Sequence, residues 1–257
     1  MVEGPTAHVY AYRINREFCG EVINDLLIRS KRIYVSPKEL IDKKVYNSES
    51  FGKNIVLFVN DYAIRLHLML YGAIHIYNLD EKLLKPERQV RLMIIGYNKK
   101  LVVYNAPIVE IDFKDRLIKR LNSQLGLDPL RPEWNINEVF KRIKQYSNEK
   151  IGVLLLDQSV IAGIGNILRN EILFRARVHP ERRVKDLSDE EIVRIITIAE
   201  ELSKQFLKIK LERKRLKPIL YVYNKYNKLC KICGSKIRFY FQEPIKRKTF
   251  VCEKCQI

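Results

Sequence analysis

The chain has 257 residues, a formal net charge of +18 at pH 7 and a pI near 9.7. No apolar run reaches the roughly 18 residues of a membrane span, and the first residues lack the apolar stretch of a secretory signal peptide. The composition therefore predicts a cytosolic globular protein with a polyanionic partner, of which nucleic acid is favoured over an anionic membrane.

The first half of the chain is predicted to be one helix followed by antiparallel strands. Apolar residues at helical spacing within residues 9–29 predict the helix. From Asn54 to about Asp112 the apolar residues alternate or form short blocks rich in Val, Ile and Tyr. The predicted strand blocks are residues 55–59, 63–77, 90–95 and 101–103. This half is expected to be an α+β domain.

The second half, after Pro129, is predicted to be helical up to about Pro218. Asn135 followed by Glu138, and Ser188 followed by Glu191, have the form of capping boxes at helix starts. Between them, residues 151–160 and 167–178 predict two buried helices. The remaining residues, 221–257, are expected to form short β segments around the cysteines.

A glycine-rich turn joins the two buried helices. Gly163 and Gly165 permit a positive φ at the end of the first helix, and Asn166 is placed to cap the second. The amino terminus of that second helix would suit a phosphate group. An ordinary helical hairpin explains the same pattern equally well.

The four cysteines near the carboxyl end predict a metal site. Two Cys-x2-Cys pairs, separated by 18 residues, have the spacing of a four-cysteine zinc ribbon. The predicted ligands are Cys230, Cys233, Cys252 and Cys255. Four thiolates leave no position open for water, so the zinc is expected to be structural. A segment of roughly 35 residues has too small a core to fold alone, and metal binding should stabilise it.

The positive charge is concentrated around this predicted metal site. Residues 203–254 contain sixteen Lys or Arg against three Glu, a net charge of +13. Lys246, Arg247 and Lys248 lie between the cysteine pairs, at the expected tip of a hairpin. A solvated basic turn explains these three residues alone, but the surrounding charge favours contact with nucleic acid.

Four motifs together resemble the formamidopyrimidine-DNA glycosylase and endonuclease VIII family. Residues 152–173 resemble its helix-two-turns-helix motif, and the cysteine tail resembles its zinc finger, with Arg247 five residues before the third cysteine. The start, Met1-Val2-Glu3-Gly4-Pro5, resembles the catalytic amino terminus of the family, and Gly52-Lys53 resembles its β-hairpin lysine. The motifs occur in the expected order and span essentially the whole chain.

The endonuclease VIII branch, which mostly removes oxidised pyrimidines, is the more similar one. Glu3-Gly4-Pro5 replaces the Glu-Leu-Pro of the other branch, and Met69-Leu70-Tyr71 resembles a Gln-Leu-Tyr wedge. On apolar pattern alone, these three wedge residues would be assigned to the core at a strand end.

The resemblance implies an N-terminal β-sandwich with a long helix, a helical domain and a four-cysteine zinc-ribbon hairpin, with DNA in the cleft between the domains. The expected domains are residues 1–128 (catalytic), 129–220 (helix-two-turns-helix) and 221–257 (zinc finger). The implied partner is damaged DNA, and the chain is expected to act as a monomer in the cytoplasm, at the nucleoid if it is prokaryotic.

The resemblance also implies roles for individual residues. The amine of Val2, exposed by removal of Met1, would attack C1′ of the sugar, with Glu3 as general acid and Lys53 as a proton donor or phosphate contact. Met69, Leu70 and Tyr71 would fill the gap left by a flipped nucleotide. Asn166 and Arg247 would hold the flanking phosphates, which places Arg247 among both the catalytic and the DNA-binding residues.

Three positions depart from the family pattern. Val2 replaces the usual proline, Thr6 replaces a glutamate, and Gln124 stands where the endonuclease VIII branch often has an arginine. Two hypotheses therefore remain: a DNA glycosylase with abasic-site lyase activity, or a damaged-DNA binding protein that lost the chemistry. Lesion range, strand preference and the choice between β- and δ-elimination stay open.

Overall fold

The computed structural model describes residues 2–257, and the expected removal of Met1 concerns a residue outside that range. The chain forms two compact units, one ending at Gln124 and one beginning at Leu125. No helix within residues 2–257 has the length and apolar character needed to cross a bilayer.

The first unit is a β-sandwich flanked by two helices, α1 (Gly4–Glu17) and α2 (Lys114–Gln124). Its four-stranded sheet has the order β1-β7-β8-β6, with β1 Asp25–Ile28, β7 Val90–Ile95, β8 Lys99–Tyr104 and β6 Ala73–Asn78. Its five-stranded sheet has the order β2-β9-β5-β4-β3, with β2 Arg32–Ile33, β9 Ile108–Phe113, β5 Tyr62–His67, β4 Asn54–Val59 and β3 Val45–Phe51. All neighbouring strands are antiparallel except β2 and β9.

One apolar core lies between the two sheets. Alternate residues of each strand point into it, as the two-residue period of a strand requires, and α1 adds a helical stripe. Its fully buried members include Ala7, Ile14, Ile55, Leu57, Ile64, Leu66, Leu92, Ile94, Leu101 and Val103. The predicted N-terminal β-sandwich with its helix is therefore confirmed.

The structure corrects two sequence predictions in this unit. The helix predicted within residues 9–29 ends at Glu17, Gly20 takes a φ of +105°, and β1 follows from Asp25. The strand β3 was missed because its centre, residues 47–50, is polar. Ser48 is nevertheless buried, since its backbone N–H and carbonyl bond the side-chain amide of Asn15 on α1 at 2.6 and 2.7 Å.

The second unit contains four helices and a β-hairpin. They are α3 (Ile136–Lys144), α4 (Ile151–Leu154), α5 (Asn166–Ala176), α6 (Asp189–Leu211), β10 (Arg238–Gln242) and β11 (Arg247–Val251). Ser188 and Glu191 form a complete capping box on α6, and the Asn135 side chain accepts from the N–H of Glu138 on α3. The helix predicted for residues 151–160 is wrong in length, because after one turn Asp157 and Gln158 bond the backbone of a loop.

A buried carboxylate on α5 holds the segment that leads into the cysteine hairpin. Glu171 is fully buried, and its two oxygens accept the backbone N–H groups of Tyr221, Val222 and Tyr223 at 2.8 to 3.0 Å. The three convergent backbone donors supply hydrogen bonds to both of these buried oxygens. This contact fixes where the polypeptide enters the hairpin.

Replacing Glu171 by Gln should destabilise the second unit by about 1–3 kcal/mol, because an amide N–H2 would face backbone N–H donors that lose their acceptor. Urea unfolding of wild type, Glu171→Gln and the exposed control Glu201→Gln checks this. Equal unfolding midpoints for Glu171→Gln and wild type would contradict the assigned role.

Candidate functional site

In the first unit, the beginning of the chain lies against an exposed turn. The backbone nitrogen of Val2 donates to the carbonyl of Met69 at 2.9 Å. Val2 is 8% exposed and Glu3, the residue preceding α1, is 3% exposed. Two residues predicted to be catalytic are thus buried beside the first residue of the predicted wedge.

The predicted wedge residues occupy a tight turn between β5 and β6. The N–H of Gly72 donates to the carbonyl of Leu68, and a Cβ at Gly72 would lie 2.6 Å from that oxygen, so only glycine is accommodated. Met69, with φ of +48°, and Leu70 and Tyr71 are 43%, 47% and 79% exposed. The apolar side chains at this turn are surface residues and not part of the core.

Lys53 lies in the two-residue turn between β3 and β4. Gly52 takes a φ of +57°, which this turn requires. Asn54 stabilises the turn by donating to the Phe51 carbonyl at 2.9 Å and accepting from Nε of Arg65 at 2.9 Å. The backbone of Lys53 is therefore held at one end of the five-stranded sheet, where β3 turns into β4.

His67 lies at the same end of the sheet, as the last residue of β5, and was not identified in the sequence analysis. It pairs with Asn54 across β4 and β5, and among residues 2–257 its Nδ1 is buried without a hydrogen-bond partner. Burial, with the charges of Arg65 and Lys53 nearby, lowers the pKa of His67 to about 4. His67 is therefore neutral at pH 7, next to a lysine.

In the second unit, Asn166 does not cap α5 as predicted. The residue preceding α5 is Gly165, whose φ is −115°, and only Gly163 has a positive φ, of +90°. Asn166 is the first helical residue, is 5% exposed, and donates through Nδ2 to the carbonyl of Lys248 at 2.9 Å. Its side chain joins the helix to the hairpin strand that begins at Arg247.

A polar stripe on α5 attaches the hairpin. The Lys248 carbonyl also accepts from Arg169 at 3.1 Å, and Asn170 accepts from the N–H of Phe250 at 2.7 Å. Arg169 is fully buried and further donates to Gly152, Gln242 and Thr249. All these acceptors are neutral, and burial lowers the pKa of Arg169 to about 10, so the guanidinium stays charged at pH 7.

Arg247 is the first residue of β11 and is exposed. It pairs with Gln242 across the hairpin, and no carboxylate of the described chain forms an ion pair with it. Its guanidinium donors therefore remain available to an external anion. Since Asn166 bonds the next residue, the structure brings together the two predicted phosphate contacts of this unit.

The four predicted metal ligands converge. Their Sγ atoms all lie within 4.8 Å of one another, with 3.8 Å between Cys230 and Cys255 and 3.4 Å between Cys233 and Cys252. Tetrahedral ligands at a metal–sulfur distance of about 2.3 Å are roughly 3.8 Å apart, so the cluster could hold one metal ion. Gln256 joins it to the helices, accepting from the N–H of Cys252 and donating to the Val178 carbonyl.

Comparisons with known proteins agree with this arrangement. Residues 125–216 match the family model described as the formamidopyrimidine-DNA glycosylase H2TH domain. The chain is 29% identical over 276 residues to endonuclease 8 1 of Mycobacterium tuberculosis, and this alignment covers all of both chains. It is also 29% identical over 248 residues to formamidopyrimidine-DNA glycosylase of Bacillus cereus, and that alignment covers 84% of this chain and 85% of the relative. A Lactococcus lactis formamidopyrimidine-DNA glycosylase, crystallised with N7-benzyl-Fapy-dG DNA, has the same fold, with a TM-score of 0.89 at 21% identity over 99% of both chains.

The cysteine cluster should bind one metal ion per chain. Cys252→Ser should lower the amount of bound metal and destabilise the hairpin. Cys19→Ser changes a cysteine outside the cluster and should keep both the metal content and the stability of wild type. Elemental analysis measures the metal, and the visible spectrum of the Co2+-loaded protein reports thiolate coordination. Equal metal content in the two variants would contradict a cysteine site.

His67 should make the fold acid-sensitive between about pH 6.5 and 4. In this window the unfolded state binds a proton that the folded state excludes, so stability falls as the pH is lowered. When the pH is lowered from 7 to 5, the Tm of His67→Gln should fall by about 2–4 °C less than the Tm of wild type falls. His75→Gln, at a histidine less deeply buried, is the control, and identical pH dependence in all three proteins would be inconsistent with a neutral His67.

Proposed function

Because the chain belongs to the formamidopyrimidine-DNA glycosylase and endonuclease VIII family, we propose that it is a DNA repair glycosylase that excises oxidised bases, mainly pyrimidines, and cleaves the resulting abasic site as a lyase. The hydrogen bond from Val2 to Met69 is the observation that supports this proposal most directly, because the proposed nucleophile then lies next to the proposed wedge. A base must leave the stack before its C1′ can be attacked, and an exposed apolar turn next to the amine can fill the vacated space.

The proposed nucleophile is the α-amine of Val2 after removal of Met1. The nitrogen forms a bond to C1′ while the glycosidic bond breaks and the base leaves with the electron pair and a proton. An ordinary α-amine has a pKa of about 7.7–8.0, so roughly a tenth to a sixth is unprotonated at pH 7. The C1′–O4′ bond of the sugar then breaks, its oxygen takes up a proton, and the nitrogen lone pair forms the C=N bond of a protonated imine. Because the amine is primary, this imine can lose its N–H proton, unlike the iminium of a proline, and the neutral imine is a weaker electron sink for β-elimination.

Glu3 is proposed as the general acid that protonates the ring oxygen of the sugar and moves protons during the Schiff-base steps. Its position next to Val2 in the chain and its burial support this role, since a general acid must lie close to the reacting atoms. Lys53 would contact a phosphate or donate a proton from the neighbouring hairpin turn. Thr6 supplies no carboxylate on α1, which leaves Glu3 as the proposed acid.

The second unit is proposed to hold the phosphates that flank the lesion. Arg247 offers guanidinium donors that form no ion pair within residues 2–257. The Asn166 side chain would act through the hairpin, since its amide donates to Lys248. Such contacts position DNA without reading its sequence, so the damage itself would be recognised.

We propose that the ion bound by the four cysteines is Zn2+ in a structural role. Four thiolates fill a tetrahedral site and leave no ligand position for water, so the metal stabilises the hairpin that carries Arg247. The enzyme is further proposed to act as a monomer in the cytoplasm, at the nucleoid if prokaryotic.

Borohydride reduction should trap a covalent complex between the processed protein and DNA containing an abasic site, with the adduct on Val2. Mass spectrometry of the trapped peptide identifies the residue. Val2→Leu is the matched control, because a bulky second residue retains Met1 and moves the amine by one residue. An equal yield of adduct from Val2→Leu would exclude Val2 as the nucleophile.

Glu3→Gln separates the enzyme from a non-catalytic binding protein. It should bind abasic DNA like wild type but excise oxidised pyrimidines about 10²–10⁴-fold more slowly. If neither protein turned over substrate while both bound it, the chain would be a damaged-DNA binding protein.

A further inference from the structure

The cysteine hairpin has a second face that the proposed function does not use. Side chains alternate along β10 and β11. On the inner face, Thr249 bonds Arg169 of α5, and Tyr240 and Gln242 bond the loop between α5 and α6. Arg247 pairs with Gln242 and belongs to that inner face. Phe239 and Phe241 project from the opposite side, which we call the outer face.

Three aromatic rings are grouped on the outer face. The ring centres of Phe239 and Phe241 are 5.2 Å apart, and those of Tyr226 and Phe239 are 5.9 Å apart. Phe239 is half-buried, whereas Phe241 is 54% exposed and Tyr226 is 55% exposed. Two exposed rings on a small hairpin are a costly surface unless a partner covers them.

The charge around these rings is almost entirely positive. Residues 225–248 contain eight Lys or Arg and a single acidic residue, Glu243. Lys248, the cross-strand partner of Phe241, lies with its Nζ 5.9 Å from the ring centre of Phe239. Arg238 forms an ion pair with Glu253. Within residues 2–257, no carboxylate forms an ion pair with the lysines of this region, which are Lys225, Lys228, Lys231, Lys236, Lys246 and Lys248.

In a similar group of aromatic and basic residues in the first unit, carboxylates compensate the positive charge. Tyr34 and Phe113 lie beside the guanidinium of Arg116, but Arg116 pairs with the buried carboxylate of Asp112. Arg120, also beside Tyr34, pairs with Glu110 and Asp112. Charge compensation there removes the attraction for a polyanion, whereas the outer face of the hairpin keeps it.

We propose that the outer face binds an unpaired DNA strand flanking the lesion. Exposed rings stack on bases that lack a partner strand, and uncompensated lysines contact the phosphates between them, the combination found in proteins that bind single strands without sequence preference. A duplex offers no free base faces to Phe241 and Tyr226. The surface therefore favours lesions next to single-stranded tails, gaps or forks; the choice of DNA over RNA rests on the proposed function.

The test compares two ligands that share one duplex with a tetrahydrofuran abasic analogue. One is blunt, and the other carries an oligothymidine tail of about 12 nucleotides, built in separate 5′ and 3′ versions. Fluorescence anisotropy at fixed salt gives both Kd values without any catalytic step, so the result is independent of glycosylase activity. In wild type, one of the tails should lower Kd at least about fivefold, since one stacked base contributes about 1 kcal/mol or more.

Phe241→Ala and Tyr226→Ala should each reduce this tail advantage, and together abolish it, while the Kd for blunt duplex and the excision rate stay unchanged. Tyr97→Ala, at an aromatic residue of the first unit that is 59% exposed, is the matched control and should keep the full advantage. If Phe241→Ala loses bound metal, Phe241→Leu replaces it, since leucine keeps apolar volume and lacks a stacking face.

Three results would overturn the proposal. They are a wild type without any tail advantage, a double variant that retains it, and a metal-loaded variant that loses blunt and tailed binding equally. A wild type without a tail advantage would be expected if the outer face docks a protein. Equal loss of blunt and tailed binding would be expected if the outer face belongs to the duplex-binding surface.

Discussion

In the second unit, the position of the hairpin against α5 depends on the backbone carbonyl of Lys248. It accepts from Asn166 and Arg169 on α5, so one backbone oxygen sets the position of β11 against the helix. The hairpin is held by this polar contact, by the packing of Ile237 and Phe250 in an apolar cluster with Phe174 of α5, and by the cysteine cluster. Since Arg169 and Asn166 are both buried, the attachment has little freedom to shift.

In the first unit, one backbone hydrogen bond joins Val2 to the exposed turn between β5 and β6. Val2 cannot move without disturbing Met69, because its nitrogen bonds that carbonyl. The turn is constrained in its own right by the contact of Gly72 with Leu68. Met69 and the amine would therefore meet the DNA in a fixed relation.

Much of this organisation could be predicted from the sequence. The cysteine spacing predicted the cluster, capping residues predicted the starts of α3 and α6, and apolar alternation predicted most of the sandwich. Two failures share a cause, because a polar residue that is buried by a distant partner leaves no local signal. The strand β3 escaped detection because Ser48 bonds Asn15, and Asn166 was assigned to a cap because its true partner, Lys248, is 82 residues away. The burial of His67 and Arg169 was missed because it depends on neighbours that only the fold brings together.

The turn that carries Met69, Leu70 and Tyr71 has one more consequence. Its shape comes from Gly72 and Leu68, and its bond to the amine uses the main chain of Met69, so none of the three exposed side chains is needed to hold it. The side chains of Leu70 and Tyr71 can therefore be exchanged without loss of the backbone contacts of the turn, whereas the positive φ of Met69 limits the residues that its position accepts. The exposed surface of the turn can change in this way while the bond to the Val2 nitrogen is kept.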